Sequence, residues 1–255
     1  MFNDQQHTMV QSEDGSFTAY SSEYDEHYHS TSDGALNESL NKHVIPAFST
    51  QQHKQTITVL DICFGLGFNT LATLYYLKQN KLDKSVAIYS PELDAALIAS
   101  LSEFTYPDIF ASYLPIIKTL VKEGRYEEKG LTIELYIGDA REYLRGCTIG
   151  FDIVYQDAFS PRVNPILWTK EYFSDIARLI SDDGVITTYS TALKTRLALY
   201  ENGFNVYLIR GEGFRNGTIA SKSELSGFET VDMGHKIGCN PDVRPLTDEE
   251  VNRAN

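Results

Sequence analysis

The sequence predicts an α/β protein built around a mostly parallel sheet with helices on both faces. Apolar, β-branched runs alternate along the chain with amphipathic stretches of helical length, a pattern typical of consecutive strand–helix–strand units. Several runs end in glycine or an acidic residue, and in a parallel sheet such ends gather at the edge where ligands bind. A chain of 255 residues is long enough for one large domain with a buried core.

The composition fits a globular protein: 42% of the residues are hydrophobic, 12% aromatic and 22% charged. These values exclude a wholly disordered, collagen-like or coiled-coil chain. Cys63, Cys147 and Cys239 are too widely separated for a disulfide framework, and their spacing predicts no metal site. There is neither a signal-peptide pattern nor an apolar run of about 18 residues. We therefore expect a soluble, cytoplasmic protein.

The formal net charge of −13 disfavours binding of nucleic acid through general electrostatics. The charge is uneven, because residues 139–222 hold as many Lys and Arg as Asp and Glu. Any basic surface should lie in that segment, and we predict that Arg162, Lys194, Arg196 and Arg215 contribute to it.

The chain divides into three parts. Residues 1–55 are polar, and the turn sequence Glu13-Asp14-Gly15-Ser16 predicts a hairpin across Thr8–Tyr20. Residues 56–239 carry the strand–helix alternation. Residues 240–255, with two prolines and many charges, are expected to form a surface extension.

Each apolar run of the middle part predicts one strand. In order, these runs are Thr56–Ile62, Val86–Tyr89, Leu131–Ile137, Phe151–Gln156, Gly184–Tyr189 and Phe204–Ile209, and the last is expected to pair with Thr218–Ala220. The amphipathic stretches Asn69–Gln79 and Trp168–Ile180 predict helices between them.

The first strand ends in Asp61 and is followed by a two-glycine turn. Gly65 and Gly67 permit a tight turn and a close approach of a ligand to the backbone, and the N–H groups of the next helix are available there. A dinucleotide fingerprint would need a third glycine, where this chain has Thr70. NAD is therefore disfavoured.

The next two strands also end in carboxylates. Glu92 follows the second strand and can accept hydrogen bonds from both ribose hydroxyls, although a carboxylate at a helix start is also common. Asp139 follows the third strand and can accept a bond from an adenine amine or cap the next helix. With Asp61, these residues suit a ligand that has a ribose, an adenine amine and a cationic centre, and S-adenosylmethionine has all three.

A longer pattern follows the fourth strand. Residues 157–168 read D-A-F-S-P-x-x-N-P-x-x-W, which resembles the D-G-F-A-P-x-x-N-P-x-x-W of the MnmC family, the tRNA 5-methylaminomethyl-2-thiouridine methyltransferases. Phe64–Asn69 is similar to the family's F-G-T-G-L-N, and Gly138-Asp139 to its G-D after the third strand. The string is long and specific, and the likeness covers most of the chain.

Shorter elements of the same family pattern occur nearer both ends. Asp14–Ser16, Tyr28–Ser30 and Gly34 resemble the family's D-G-T, Y-F-S and G-L-E elements, and Gly211-x-Gly213 resembles its late G-x-G. At the middle position of Y-F-S this chain has His29.

The resemblance implies a Rossmann-like class I S-adenosylmethionine-dependent methyltransferase fold, with a mostly parallel seven-stranded sheet whose last strand is antiparallel. It implies S-adenosylmethionine as methyl donor and, as acceptor, the amine of 5-aminomethyl(-2-thio)uridine at the tRNA wobble position. In two-domain members a flavin-dependent oxidase follows the methyltransferase. The 255 residues leave no room for it, so we expect the stand-alone type.

The motifs also imply roles for single residues. Gly65 and Gly67 would lie against the methionine part, Glu92 would take the ribose, Asp139 the adenine, and Asp157 would face the acceptor amine as the catalytic residue. The full set predicted to bind the cofactor is Tyr28, Asp61, Phe64, Gly65, Gly67, Asn69, Glu92, Asp139 and Ala140. Tyr28 could equally be a core aromatic residue.

The sequence departs from the family pattern at three places. Cys63 stands where the family usually has glycine, which is unstrained only if φ is negative. Asp61 stands where the family often has Glu. Residues 211–217 contain one basic residue, Arg215, where two-domain members have several.

Two other functions fit part of the pattern. A small-amine transferase of the same fold, such as a spermidine-synthase-like aminopropyl transferase or a small-molecule N-methyltransferase, also uses acidic strand ends, and the net charge of −13 suits a cationic substrate. A nucleoside-binding module without turnover is disfavoured by the retained carboxylates. We interpret Trp168 as a packing residue, and His27 and His29 as loop residues.

Overall fold

The computed structural model describes residue 2 and residues 6–13 and 15–254, with the side chain of Ala254 excepted. Its strands are β1 (His7–Gln11), β2 (Phe17–Ser21), β3 (Glu26–His27), β4 (Thr56–Ile62), β5 (Ser85–Glu92), β6 (Arg125–Glu128), β7 (Leu131–Ile137), β8 (Phe151–Gln156), β9 (Ile180–Thr188), β10 (Asn205–Ile209), β11 (Gly217–Ser221) and β12 (Glu229–Thr230).

The α-helices are α1 (Ala35–Glu38), α2 (Ile45–Thr50), α3 (Phe68–Gln79), α4 (Ala95–Ser100), α5 (Leu114–Glu123), α6 (Ala140–Gly146), α7 (Lys170–Leu179), α8 (Leu193–Glu201), α9 (Met233–Cys239) and α10 (Asp248–Ala254). A π-helix, Ser39–Val44, joins α1 to α2, and short 3₁₀ helices lie at Leu101–Glu103, Asp108–Tyr113 and Pro165–Trp168.

The central sheet has the strand order β12-β10-β11-β9-β8-β4-β5-β7-β6. Five consecutive strands run parallel to one another: β7, β5, β4, β8 and β9. Strand β11 runs antiparallel to both β9 and β10. The predicted fold class, a mostly parallel sheet with an antiparallel last strand, is confirmed. The structure adds β6 and β12, two short antiparallel edge strands.

The central strands β4 and β8 are buried on both faces along most of their length, as expected of a parallel sheet covered by helices. Neighbouring residues of a strand point to opposite faces, so Val59 and Ile153 pack into one core while Leu60 and Val154 pack into the other. The rigid centre of the sheet therefore carries the residues that follow β4 and β8.

The chain reverses its direction of winding at β4, because β5 lies on one side of it and β8 on the other. Ligands of open α/β sheets bind beyond the carboxyl ends of the strands at such a point. The residues after β4, β5, β7 and β8, which the sequence indicates as the site, therefore share one edge.

A second, three-stranded antiparallel sheet, β1-β2-β3, lies at the N-terminus. β1 and β2 pair from His7↔Ser21 to Gln11↔Phe17, at the place where the turn sequence predicts a hairpin; Asp14 of that turn lies outside the described residues. Glu26 of β3 accepts a hydrogen bond from the Ser160 backbone N–H at 3.0 Å, which joins this sheet to the loop after β8.

The C-terminal residues include a helix that is tied to the domain at two points. Helix α10 packs through Val251, which is 5% exposed, and Asp248 forms a two-pronged ion pair with Arg141, with Nη2–Oδ2 at 2.8 Å. A guanidinium that is largely buried requires a carboxylate partner, and Asp248 supplies it. Among the described residues, no helix combines the length and apolarity needed to cross a lipid bilayer.

Candidate active site

A cavity of about 840 Å³ opens at the carboxyl ends of β4, β5, β7 and β8. One wall is formed by the loops that follow these strands, and the opposite wall by β3, the loop after it and the helical segment 35–44. Its size is that of a site for one small ligand or cofactor. The N-terminal part of the chain is thus part of the site.

The two-glycine turn after β4 is built from left-handed backbone. Gly65 has a φ of +53° and Gly67 a φ of +75°. A Cβ on Gly65 would come within 3.2 Å of the Tyr28 ring, and one on Gly67 within 2.8 Å of the Phe64 ring. Both positions therefore require glycine, Gly65 at the cavity wall and Gly67 for packing behind it.

Cys63 also adopts a positive φ, +63°, at the position where the family usually has glycine. An L-residue pays roughly 1–2 kcal/mol for this conformation. Burial raises the pKa of its thiol, as do the carboxylates around it. Cys63 is therefore a strained, neutral group in the cavity wall.

Glu92, the last residue of β5, is hydrogen-bonded to the glycine turn. Its Oε2 accepts a hydrogen bond from the Gly65 N–H and its Oε1 one from the Asp94 N–H, both at 2.9 Å. Burial raises the pKa of this carboxyl group. Each oxygen keeps a second lone pair, so the predicted contact with ribose hydroxyls is compatible with these bonds.

Asp139 is the N-cap of α6. Its Oδ1 accepts hydrogen bonds from the backbone N–H groups of Arg141 at 2.8 Å and Glu142 at 2.9 Å. Both residues of the pair Asp139-Ala140 line the cavity. Capping occupies one carboxylate oxygen, so the two roles that the sequence left open can coexist.

Asp61 does not reach the cavity wall. It is fully buried behind the glycine turn, where Asn69 Nδ2 donates to Oδ1 at 3.3 Å and Thr70 Oγ1 donates to Oδ2 at 3.0 Å. Burial, together with the nearby Asp157, raises its pKa to about 7. Both oxygens already accept bonds from the start of α3, and Asp61 is not among the residues that line the cavity. Its direct contact with the cofactor stays a prediction.

Asp157, one residue beyond β8, is the charged group of the cavity floor. Its Oδ2 accepts a hydrogen bond from Asn69 Nδ2 at 2.9 Å, and its Oδ1 lies 3.3 Å from His43 Nε2. Burial alone would raise the pKa of Asp157, but His43, His29 and Asn69 together hold it below the ordinary value. The carboxylate is thus ionised at neutral pH.

The remaining predicted residues lie around this floor. Asn69 is in the cavity wall, and its buried Oδ1 has no hydrogen-bond partner among the described residues. Phe64 is buried beside it. Tyr28 both lines the cavity and packs against Phe159, with ring centroids 4.9 Å apart, and burial raises the pKa of its hydroxyl.

Several residues of the opposite wall were not predicted from sequence. Glu38, Lys42 and His43 belong to the helical segment 35–44, and His29 precedes it; all four are buried. Lys42 Nζ lies 2.6 Å from Glu38 Oε1 and 3.1 Å from Asp33 Oδ2. The four-residue spacing of Glu38 and Lys42, an ion-pair spacing in helices, is the signal that could have indicated them.

The predicted basic surface is smaller than expected. Arg196 is buried, and its Nε donates to Thr218 Oγ1 at 3.0 Å, so it belongs to the interior. Lys194 is exposed, while Arg162 and Arg215 are exposed but lie 3.2 Å from Glu26 and 3.3 Å from Asp33. Trp168 is buried and donates from Nε1 to the Phe159 carbonyl at 2.7 Å, as a packing residue does.

The cavity fits S-adenosylmethionine by three observations: its size, the close-approach glycine Gly65, and the unpartnered polar oxygen of Asn69 in a wall rich in carboxylates. When bound, this cofactor supplies an electrophilic methyl group. Gly65, Glu92 and Asp139 are the residues placed to hold it, and their individual contacts remain predictions.

Comparison with known proteins agrees with this geometry. Residues 104–223 match a family described as S-adenosyl-L-methionine-dependent methyltransferase. The chain is 32% identical over 254 residues to the uncharacterized protein MJ0670 of Methanocaldococcus jannaschii, covering 97% of this chain and 64% of that protein.

The chain is also similar to the tRNA 5-methylaminomethyl-2-thiouridine biosynthesis bifunctional protein MnmC of Paraburkholderia phymatum, with 28% identity over 225 residues. This alignment covers 80% of this chain and 33% of that protein. The chain thus spans about a third of the length of this bifunctional relative. The crystal structure of MnmC2 from Aquifex aeolicus superposes with a TM-score of 0.83 at 29% identity, over 98% of this chain and 81% of that one. Residues 104–223 therefore carry the signature of an S-adenosyl-L-methionine-dependent methyltransferase, and the chain is similar to MnmC proteins over most of its length.

Proposed function

We propose that the protein transfers a methyl group from S-adenosylmethionine to the primary amine of 5-aminomethyl(-2-thio)uridine at the wobble position of tRNA, in the cytoplasm. The observation that carries the proposal is the ionised Asp157, which lines the same cavity as the residues predicted to hold the cofactor. A buried carboxylate is a counter-ion for an alkylammonium group. The names of the MnmC relatives support tRNA as the molecule that bears this amine.

The chemistry requires a neutral nucleophile. An alkyl amine has an ordinary pKa of about 10.4 and is mostly protonated at neutral pH, so the site must bind the ammonium and then remove a proton. Asp157 can hold the ammonium beside the cofactor wall, and Asn69 and His43 fix the carboxylate. Since no covalent enzyme intermediate is needed, positioning should supply a large share of the rate.

A small amine or polyamine is the second candidate acceptor, and the charge of the cavity favours it. Its acidic lining residues are Glu23, Glu26, Glu38, Glu92, Asp94, Asp139 and Asp157, against Lys42 and Arg215. Both cations are already paired with carboxylates. Such a cavity attracts any cationic amine, whether or not it is attached to RNA.

The two candidates separate in one assay. Purified protein receives radiolabelled S-adenosylmethionine together with either tRNA carrying 5-aminomethyl-2-thiouridine, unmodified tRNA, or spermidine and putrescine. We expect label only in the aminomethyl tRNA, and nucleoside mass spectrometry should show the mass of one added methyl group on that nucleoside. Label in the free amines with none in tRNA would replace the first proposal with the second.

A further inference from the structure

His29 lines the same cavity as Asp157, yet the mechanism above gives it no role. It is 7% exposed, its backbone N–H donates to Thr18 Oγ1 at 3.1 Å, and its ring packs edge-on against Phe68 with centroids 5.1 Å apart. These contacts fix the ring. Within residues 2, 6–13 and 15–254, no side chain or backbone group forms a hydrogen bond with either ring nitrogen.

The Glu38 carboxylate faces one of these nitrogens. Glu38 Oε2 lies 3.8 Å from the buried Nδ1 of His29. Glu38 cannot turn away freely, because Lys42 Nζ donates to Oε1 at 2.6 Å and the Ser30 N–H donates to Oε2 at 2.8 Å. A fixed carboxylate beside Nδ1 favours the tautomer that carries its hydrogen there, which leaves the lone pair on Nε2.

Burial and the charged groups around His29 set the pKa of its imidazole. Burial lowers the pKa of His29, Asp157 and Glu38 act to raise it, and His43 and Lys42 act to lower it further. The imidazole is therefore neutral at pH 7, while Asp157 is ionised. A neutral imidazole keeps one ring nitrogen without a hydrogen, and that nitrogen can accept a proton.

We infer, resting on the proposed function, that His29 Nε2 accepts the proton of the acceptor amine and that Glu38 orients the ring through Nδ1. The ammonium held by Asp157 gives one proton to Nε2. The lone pair of the acceptor amine nitrogen then forms a bond to the methyl carbon. The carbon–sulfur bond breaks, and its electron pair stays on sulfur. His29 returns the proton to solvent through the open cavity.

This arrangement is a feature of this chain's own sequence, because the family element Y-F-S has phenylalanine at the position of His29. The substitution His29→Phe therefore introduces a ring that the fold accommodates and removes both nitrogens. His29→Asn is the second variant, since its short amide can still face Glu38 but cannot reach the position of Nε2. His53→Phe is the matched control, because His53 is 59% exposed and pairs only with Asp183 at the surface.

In saturating S-adenosylmethionine and aminomethyl tRNA, we expect kcat of His29→Phe and His29→Asn to fall about 10²-fold, the usual share of a positioned base. The KM for tRNA, the affinity for S-adenosylhomocysteine and the melting temperature should stay close to those of the wild type. In both variants the acid limb of the kcat–pH profile that belongs to His29 should be replaced by a rise at higher pH, where the amine becomes neutral in solution.

A second readout does not depend on turnover. In cofactor-free protein with ¹⁵N-labelled histidine, the nitrogen shifts of His29 should show Nδ1 protonated and Nε2 bare at pH 7. Glu38→Gln should shift this tautomer balance, whereas His53→Phe should leave it unchanged.

The outcomes are distinguishable. A wild-type protein that methylates no amine overturns the proposed function and this assignment with it. An active wild type whose His29→Phe variant keeps its kcat and pH profile, or a His29 whose Nε2 carries the hydrogen, overturns the role of His29 and leaves the proposed function standing.

Discussion

Asp157 shows how one buried carboxylate can be kept ionised without a salt bridge to Lys or Arg. Asn69 donates to it, and His43, itself held by Thr187 Oγ1 at 3.0 Å, faces its other oxygen. We expect Asp157→Asn and Asp157→Ala to bind S-adenosylmethionine nearly normally and to lose about 10²-fold or more in turnover. Raising the pH should restore part of the rate, because more of the amine is then neutral.

Steady-state kinetics on aminomethyl tRNA and calorimetry with the cofactor check this expectation. Asp182→Asn, at an exposed position of β9, is the control for the chemical change alone. Normal turnover in Asp157→Ala would remove Asp157 from the reaction. Joint loss of melting temperature and cofactor binding would instead make it a structural residue.

The pKa of Asp61, at the end of β4, is raised, whereas that of Asp157 is lowered. The folded-state pKa of Asp61, about 7, lies above the unfolded value near 3.9. The protonated form therefore stabilises the fold: its contribution is complete below about pH 4 and is lost as the pH rises through about 7. Asp61→Asn removes the titration, so the melting temperature of the variant should improve relative to wild type between pH 5 and pH 8. Parallel melting curves across that range would contradict the assignment.

Among the elements, the strands of the middle part were predictable and the N-terminal helical segment was not. The runs from Thr56 to Ile62 and from Phe151 to Gln156 are apolar because both faces of a parallel strand are buried. The edge strands β6 and β12 are exposed and so show no alternation. Residues 35–50 do carry an apolar stripe, Leu36, Leu40, Val44 and Phe48, that packs on the core. The burial of Glu38, Lys42 and His43 beside it depends on their partners and is not visible in this pattern.

The residues of the site also divide into those that the sequence could predict and those that it could not. The positions of Glu92, Asp139 and Asp157 in the cavity lining could be predicted because each lies at or just beyond the carboxyl end of a strand. The contact of His43 with Asp157 joins residues 114 positions apart in the sequence, and no local pattern encodes it. The bonds of Asp61 with Asn69 and Thr70 were equally unpredictable, because position at a strand end does not tell whether a carboxylate faces the cavity or the helix behind it.

Helix α10 allows a test at the scale of an element. Asp248 forms the two-pronged ion pair with Arg141 and accepts a hydrogen bond from Thr169 Oγ1 at 2.6 Å. Asp248→Asn should lower stability by about 1–3 kcal/mol, because it leaves a largely buried guanidinium without its main carboxylate. In a chain of this size that is a fall of several degrees in melting temperature.

Cofactor affinity should change little in Asp248→Asn, since Asp139 caps α6 with its own side chain. Glu249→Gln, on the same helix, is the matched control because Glu249 and its partner Arg253 are both exposed. An unchanged melting temperature in Asp248→Asn would show that α10 does not stabilise the domain.

For the whole molecule, the unresolved physical problem is how a chain of net charge −13 would dock tRNA. The cavity is acidic, so attraction to phosphates must come from its surroundings. Arg162 and Arg215 are 65% and 70% exposed, whereas their partners Glu26 and Asp33 are 21% and 10% exposed. Both guanidinium groups are therefore accessible to a phosphate from solvent. Together with exposed Lys194 they are the basic groups of residues 139–222 that we assign to this surface.

We expect the combined variant Arg162→Ala, Lys194→Ala and Arg215→Ala to raise the KM for tRNA and to flatten its dependence on salt. Each phosphate contact that is lost should reduce the slope of log affinity against log salt by about one. Affinity for S-adenosylmethionine should not change, because none of the three is placed at the cofactor wall. Lys122→Ala with Arg253→Ala is the control, since these side chains are 80% and 76% exposed and line no part of the cavity. If the control variant reduces the salt slope as much as the triple variant does, the attraction is a property of total charge and no docking surface lies at this rim.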